Sequence, residues 1–314
     1  MQTALCAVSV DLDEVPNYFR IHGLAAPTGA ALHAVYDVAL ARIEAFARSE
    51  GIPVTLFVVG EDLARPESAR ALRRLADLGH AVENHSLGHH YDFTRLGREA
   101  ITREIEAGAR AVEAATGRAP TGFRAPGYVV TDEVLDALEE LSVAWDSSVF
   151  PCPAYYAAKG LAMALMRARG RVSWSVMDGP QVLAAPTRPY RPGRPYTKAG
   201  KRGLVELPIQ VTPGMRLPVI GTSLGIAGPA GARWLVKQCV GEPLVNLELH
   251  GMDFLERADG LEALASHQPE LRAPLGRRLD ALSAALEVLR GKGTSFVRLD
   301  EAARALFPLP TSSV

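Results

Sequence analysis

The chain has 314 residues, 48% hydrophobic and 22% charged, an ordinary globular composition long enough for one large barrel or two smaller domains. Lys and Arg number 34 against 35 Asp and Glu, and a net charge of −1 does not suggest a nucleic-acid binder. Cys6, Cys152 and Cys239 are far apart and indicate neither a disulfide framework nor a thiolate metal site, and no apolar run reaches membrane-spanning length.

The first eight residues carry no basic region and are too short before Asp11 for a signal sequence, so the expected location is the cytoplasm. In chain order, short runs rich in Val, Leu, Ile or Phe predict strands at 4–10, 53–59, 80–84, 121–124, 143–146, 204–208, 244–250 and 295–298. Helical spacing separates them. It links Val35, Val38, Ala39, Ile43 and Phe46, then Ile101, Ile105 and Val112, then Leu275, Leu279, Leu282, Leu286 and Leu289 up to Gly291. Such alternation predicts an α/β fold with a parallel sheet, closed or nearly closed into a barrel. Residues 151–202 break the pattern with many Pro and Gly, and are expected to be a long irregular insertion in a single domain spanning 1–314. No repeat of 20 to 50 residues points to a solenoid or propeller.

The polar residues suited to chemistry fall at or just past the C-terminal ends of these strands. Asp11 and Asp13 follow the first, His85 and His89 the third, Arg124 the fourth, Asp146 the fifth and His250 the seventh. In a parallel barrel those ends share the face where active sites form. Asp13 with His85 and His89 makes a two-histidine, one-carboxylate set with open positions for water and substrate, although His90 leaves the second histidine open. Asp11 and Asp13 alternate around Leu12, so both carboxylates point one way; a metal-bound one stays ionised while its neighbour is free to act as a general base.

These residues resemble the polysaccharide deacetylases of carbohydrate esterase family 4. Ser9-Val10-Asp11-Leu12-Asp13 is similar to the first motif in a D-x-D variant form. His85-Ser86-Leu87-Gly88-His89 is similar to the H-[ST]-x-x-H metal motif, and Arg124-Ala125-Pro126-Gly127 to the third. Trp145-Asp146-Ser147-Ser148 resembles the fourth and Leu247-Glu248-Leu249-His250 the fifth. The resemblance implies a distorted (β/α) barrel of about seven parallel strands and a divalent metal held by Asp13, His85 and His89. That metal is zinc in the first place, with cobalt, nickel, manganese or iron as alternatives. It further implies Asp11 as base, His250 as acid, Arg124 holding Asp11 ionised, and Asp146 raising the pKa of His250. The Tyr128 backbone N–H, beside Pro126, would stabilise the oxyanion. The activity implied is removal of an acetyl or formyl group from the amide nitrogen of an amino sugar.

From Lys159 to Arg202 the insertion carries Lys159, Arg167, Arg169, Arg171, Arg188, Arg191, Arg194, Lys198, Lys201 and Arg202 against the single acid Asp178. Folded over the strand ends, this patch would attract an anionic substrate, or rest on an anionic membrane surface together with the apolar run 161–166. Residues 207–213, Leu-Pro-Ile-Gln-Val-Thr-Pro, resemble the branch acting on lipid-linked or nucleotide-linked amino sugars. The tract 17–23, with His22, is a candidate cleft wall. Three other readings compete: a hydrolase of a non-sugar amide, a non-haem Fe(II) oxygenase built on the same Asp/His/His set, and a sugar- or lipid-binding module.

Overall fold

A computed structural model of the protein describes residues 3–168, 170, 176, 177 and 179–308. All eight expected strands form: β1 (Leu5–Asp11), β2 (Val54–Val58), β3 (Ala81–Asn84), β4 (Gly122–Phe123), β5 (Trp145–Asp146), β6 (Val205–Glu206), β7 (Leu244–His250) and β8 (Ser295–Phe296). They pair in parallel in the order β6-β5-β4-β3-β2-β1-β7, and β8 joins the start of β1. Helices cross over between successive strands, among them Arg98–Thr116, Gly221–Lys237 and Leu275–Arg290. The sheet curls into a half-barrel, the (β/α) architecture expected. The 207–211 stretch bridges its ends: Ile209 N–H reaches the Val149 carbonyl at 2.9 Å, and Gln210 N–H the Asn246 carbonyl at 3.1 Å. Its visible role is therefore closure of the barrel.

Period-two alternation sorts the side chains of the two long strands. Val8, Val10 and Leu12 on β1 and its extension, with Val245, Leu247 and Leu249 on β7, face outward into the main core beneath the helices. Leu5, Ala7 and Leu244 face inward and pack with Phe57, Trp145, Val205 and Leu207 in the barrel floor. Above that floor the inward column turns polar on both strands: Ser9, Asp11 and Asp13 on one side, Asn246, Glu248 and His250 on the other, all buried or nearly so. The β1–β7 register sets Ser9 opposite Glu248 and Asp11 opposite His250. A hydrophobic plug at the N-terminal end thus carries a polar platform at the C-terminal end.

The insertion corrects the expectation in two respects. Residues 153–168 form a regular helix, Pro153–Ala168, because the Ala, Leu and Met run has high helical propensity and Pro153 fits the first helical turn. Its basic residues, moreover, do not make one open patch. Arg202 pairs with Asp132 at 3.0 Å, Asp136 at 2.6 Å and Glu139 at 2.7 Å; Arg194 also pairs with Asp136, and Arg188 with Glu242 at 2.7 Å. The neutralising acids lie on the Asp132–Glu140 helix and at residue 242, distant in sequence. Arg169, Arg171 and Asp178 lie outside the described residues. The three cysteines are buried and unpaired.

Candidate metal centre and catalytic cleft

At the top of the barrel, Asp13 Oδ1 lies 3.2 Å from Nε2 of both His85 and His89. All three residues are buried. His85 presents the imidazole atom a metal needs, because its Nδ1–H donates to the Arg124 carbonyl at 2.7 Å and leaves Nε2 with a lone pair facing Asp13. Among the described residues, Asp13 Oδ1 and both ring nitrogens of His89 have no hydrogen-bond partner. Burying such atoms unpaired costs about 1–3 kcal/mol each, and one divalent cation between them would remove most of that cost. The donor set of one carboxylate and two imidazoles therefore fits a divalent ion with open positions. His90, the alternative ligand, is turned outward toward Glu104 with 45% of its side chain exposed.

The histidine loop is held in a conformation few side chains adopt. Ser86 and His89 both have positive φ, 65° and 48°. The loop is fixed from three sides: Ser86 Oγ accepts the His89 N–H, Glu104 accepts the Gly88 N–H, and the Gly60 N–H bonds the Ser86 carbonyl. Gly108, in the Arg98–Thr116 helix, allows the close approach; a Cβ there would sit 2.4 Å from Asn84 Oδ1 and 2.7 Å from the Ser86 carbonyl carbon.

Asp11 lies beside this group in a different environment. Arg124, fully buried, binds Asp11 Oδ1 at 2.6 Å and also donates to the Ser147 carbonyl, Ser147 Oγ and Ser9 Oγ, with its guanidinium 4.1 Å above the Phe57 ring. The other oxygen of Asp11, Oδ2, faces His85 Nε2 at 3.9 Å. One carboxylate oxygen is thus anchored, and the second is directed toward the metal group.

Across the cleft stands His250, with 23% of its side chain exposed. Its Nδ1 lies 3.0 Å from Glu248 Oε1 and its Nε2 3.1 Å from the Tyr128 hydroxyl. Burial alone would lower the imidazole pKa, but the facing carboxylates, Glu248 first, push it up to about 9.

Two expected roles need correction. Asp146 does not stand against His250: it accepts from Ser148 Oγ at 2.7 Å and Ser148 N–H at 3.2 Å, and pairs across the β5–β6 ladder with buried Glu206. Its carboxylate is thus engaged by Ser148 and Glu206, and burial raises both carboxyls, Glu206 well above the ordinary value. The Tyr128 N–H is already donated to the Ala125 carbonyl at 3.1 Å in the tight Pro126–Tyr128 turn; Tyr128 brings its hydroxyl to the cleft instead. From the 17–23 tract, Tyr18 reaches the site, its ring edge-on to His250 at 6.4 Å, while His22 stacks on His267. Ser9, Ser147, Glu206 and the partnership of Glu248 with His250 were not anticipated. The inward column shared with Asp11 and His250 was the signal for Ser9 and Glu248.

Comparison with known proteins bears on this geometry. The sequence model of a family described as "Polysaccharide deacetylase" matches residues 24–144, a span holding both metal-site histidines and Arg124. No curated protein sequence matches the chain. Among solved structures, a Mycobacterium smegmatis protein described as a candidate polysaccharide deacetylase is similar with a TM-score of 0.57 at 16% identity, over 96% of this chain and 90% of that one. A CE4 family pseudoenzyme from Bacillus anthracis gives 0.50 at 13% identity, over 96% and 66%. A mutant of a CE4 family pseudoenzyme with restored enzymatic activity gives 0.50 at 14%, over 96% and 68%. At these identities the structures establish a shared fold.

Proposed function

We propose that the chain, whose residues 24–144 match the polysaccharide deacetylase family model, is a metal-dependent hydrolase of the D-x-D branch, removing an acetyl or formyl group from the amide nitrogen of an amino sugar. The observation that carries this reading is the buried Asp13–His85–His89 group, with its unpartnered donor atoms, set beside an arginine-anchored carboxylate, Asp11, that itself lies within 4.8 Å of a His250 ring nitrogen. Asp13, His85 and His89 would hold the ion. When bound, a divalent metal polarises a carbonyl oxygen and makes a nearby water more acidic.

The remaining work falls to the chain's own side chains. Asp11 takes a proton from the attacking water through Oδ2, since Arg124 occupies Oδ1 and disfavours protonation there. His250 Nε2 gives a proton to the amine nitrogen as the C–N bond breaks, so that a carboxylic acid and a free amine leave. Net transfer of one proton from Asp11 to His250 restores both groups. With its amide engaged, Tyr128 contributes its hydroxyl and ring to the cleft wall.

The test is release of acetate or formate from a panel of N-acylated amino sugars, free, nucleotide-linked and as chitin oligomers, by wild type and Asp11→Asn. Turnover of a panel member by wild type, reduced about 100-fold or more in Asp11→Asn while substrate binding persists, is expected. Equal turnover by both proteins would remove Asp11 from the mechanism. Oxygen consumption without acyl release would favour the oxygenase reading.

A further inference from the structure

Glu248 is fully buried, yet among the described residues no hydrogen bond supports either of its carboxylate oxygens. Its visible counter-charge is the His250 ring, 3.0 Å away at Nδ1. A buried carboxylate is costly without a charged partner, and an apolar residue of similar size would serve packing at least as well. The geometry explains the arrangement differently. Glu248 and His250 are two residues apart on β7, so both side chains point into the barrel, with Glu248 one step below.

We propose that Glu248 is the positioning residue of the general acid, its carboxylate holding the His250 ring with Nδ1 toward the barrel interior and Nε2 toward the cleft. This rests on the reading of His250 as the proton donor. The other charged groups facing His250 are committed elsewhere. Asp13 belongs to the metal group, and Asp11 Oδ1 is bound by Arg124. Asp253, in the turn after β7, accepts the backbone N–H of His250 itself at 2.8 Å. Tyr128 and Tyr18 contribute a hydroxyl at Nε2 and a ring edge. Among the described residues, Glu248 is the carboxylate at Nδ1, 3.0 Å away. During turnover the C–N bond breaks and the Nε2 proton goes to the amine; the Nδ1 proton stays between His250 and Glu248, so the ring becomes neutral without changing orientation.

The experiment is an NMR pH titration of the His250 ring in wild type, Glu248→Gln and Glu248→Asp, with metal content measured on each. Wild-type His250 is expected to titrate above the ordinary histidine value, Glu248 being the largest of the charges that raise it. In Glu248→Gln its acid constant should rise at least tenfold, and Glu248→Asp should restore part of the shift. The alkaline limb of kcat/KM should move with it, a readout that loss of packing alone would not produce. Wild-type His250 titrating as an ordinary histidine would overturn the proposal without any variant. So would an unchanged titration in folded Glu248→Gln, or a second metal ion per wild-type chain lost in that variant, since Asp11, Glu248 and His250 would then be ligands. The titration needs no substrate, so an enzyme inert toward every amino sugar would sink the deacetylase reading and leave this one standing or falling separately.

Discussion

Asp11 and Asp13 are two residues apart on one strand end and meet different partners: a guanidinium for the first, two imidazoles for the second. Their chemistry diverges for that reason, although a strand's alternation presents them alike. Replacing Arg124 by Ala would leave Asp11 buried without its cation, and should destabilise the fold by about 3–5 kcal/mol, read from denaturant midpoints. The choice between adjacent histidines is equally concrete. His89→Ala should abolish metal retention, whereas His90→Ala, at an outward-facing ring, should leave it unchanged by elemental analysis. At this scale the sequence told which residue types matter and less about whom they touch. The D-x-D and H-x-x-x-H spacings placed Asp11, Asp13 and His85 together. The Asp146 role was misassigned because its partners, Ser148 two residues on and Glu206 on the neighbouring strand, engage its carboxylate, whereas Glu248 shares the inward column of β7 with His250.

Among the elements, the Arg98–Thr116 helix does more than cover the sheet. Ala for Gly in a helix interior normally stabilises by about 1 kcal/mol. At Gly108 the sign should reverse, with a loss of about 1–3 kcal/mol, because the added Cβ would strike Asn84 and the Ser86 backbone. Thermal denaturation measures that loss, and metal affinity should fall with it as the histidine loop shifts. The strands and long helices were legible because their hydrophobic periods are strong. The insertion was not, since a run of arginines looks open until the Asp132–Glu140 helix is folded against it. Arg202→Ala, which removes the cation shared by three carboxylates, should speed proteolytic nicking between residues 188 and 203.

For the molecule as a whole, buried ionisable groups lie both on the polar platform and away from it, as with Glu83, which accepts the Thr121 and Gly122 N–H groups at the start of β4. Burial first of all raises the Asp62 carboxyl to about 8 and the Glu83 carboxyl to about 8, and the charges around His250 hold its ring up at about 9. In each case the folded state binds its proton more tightly than the unfolded chain. The stability linked to these protons is therefore fully present below the ordinary values near 4 for the carboxyls and 6.5 for histidine. It is lost as pH rises through the folded values of about 8 and 9. With metal removed by chelator, the melting temperature should fall between pH 5.5 and pH 8.5; a rise would contradict these assignments.

The central claim is that Asp13, His85 and His89 form a divalent metal site, and elemental analysis of wild type beside a His85→Ala/His89→Ala double variant tests it most directly. The expected result is about one divalent ion per wild-type chain and none in the variant. No bound metal after anaerobic loading, or equal metal in both proteins, would contradict it.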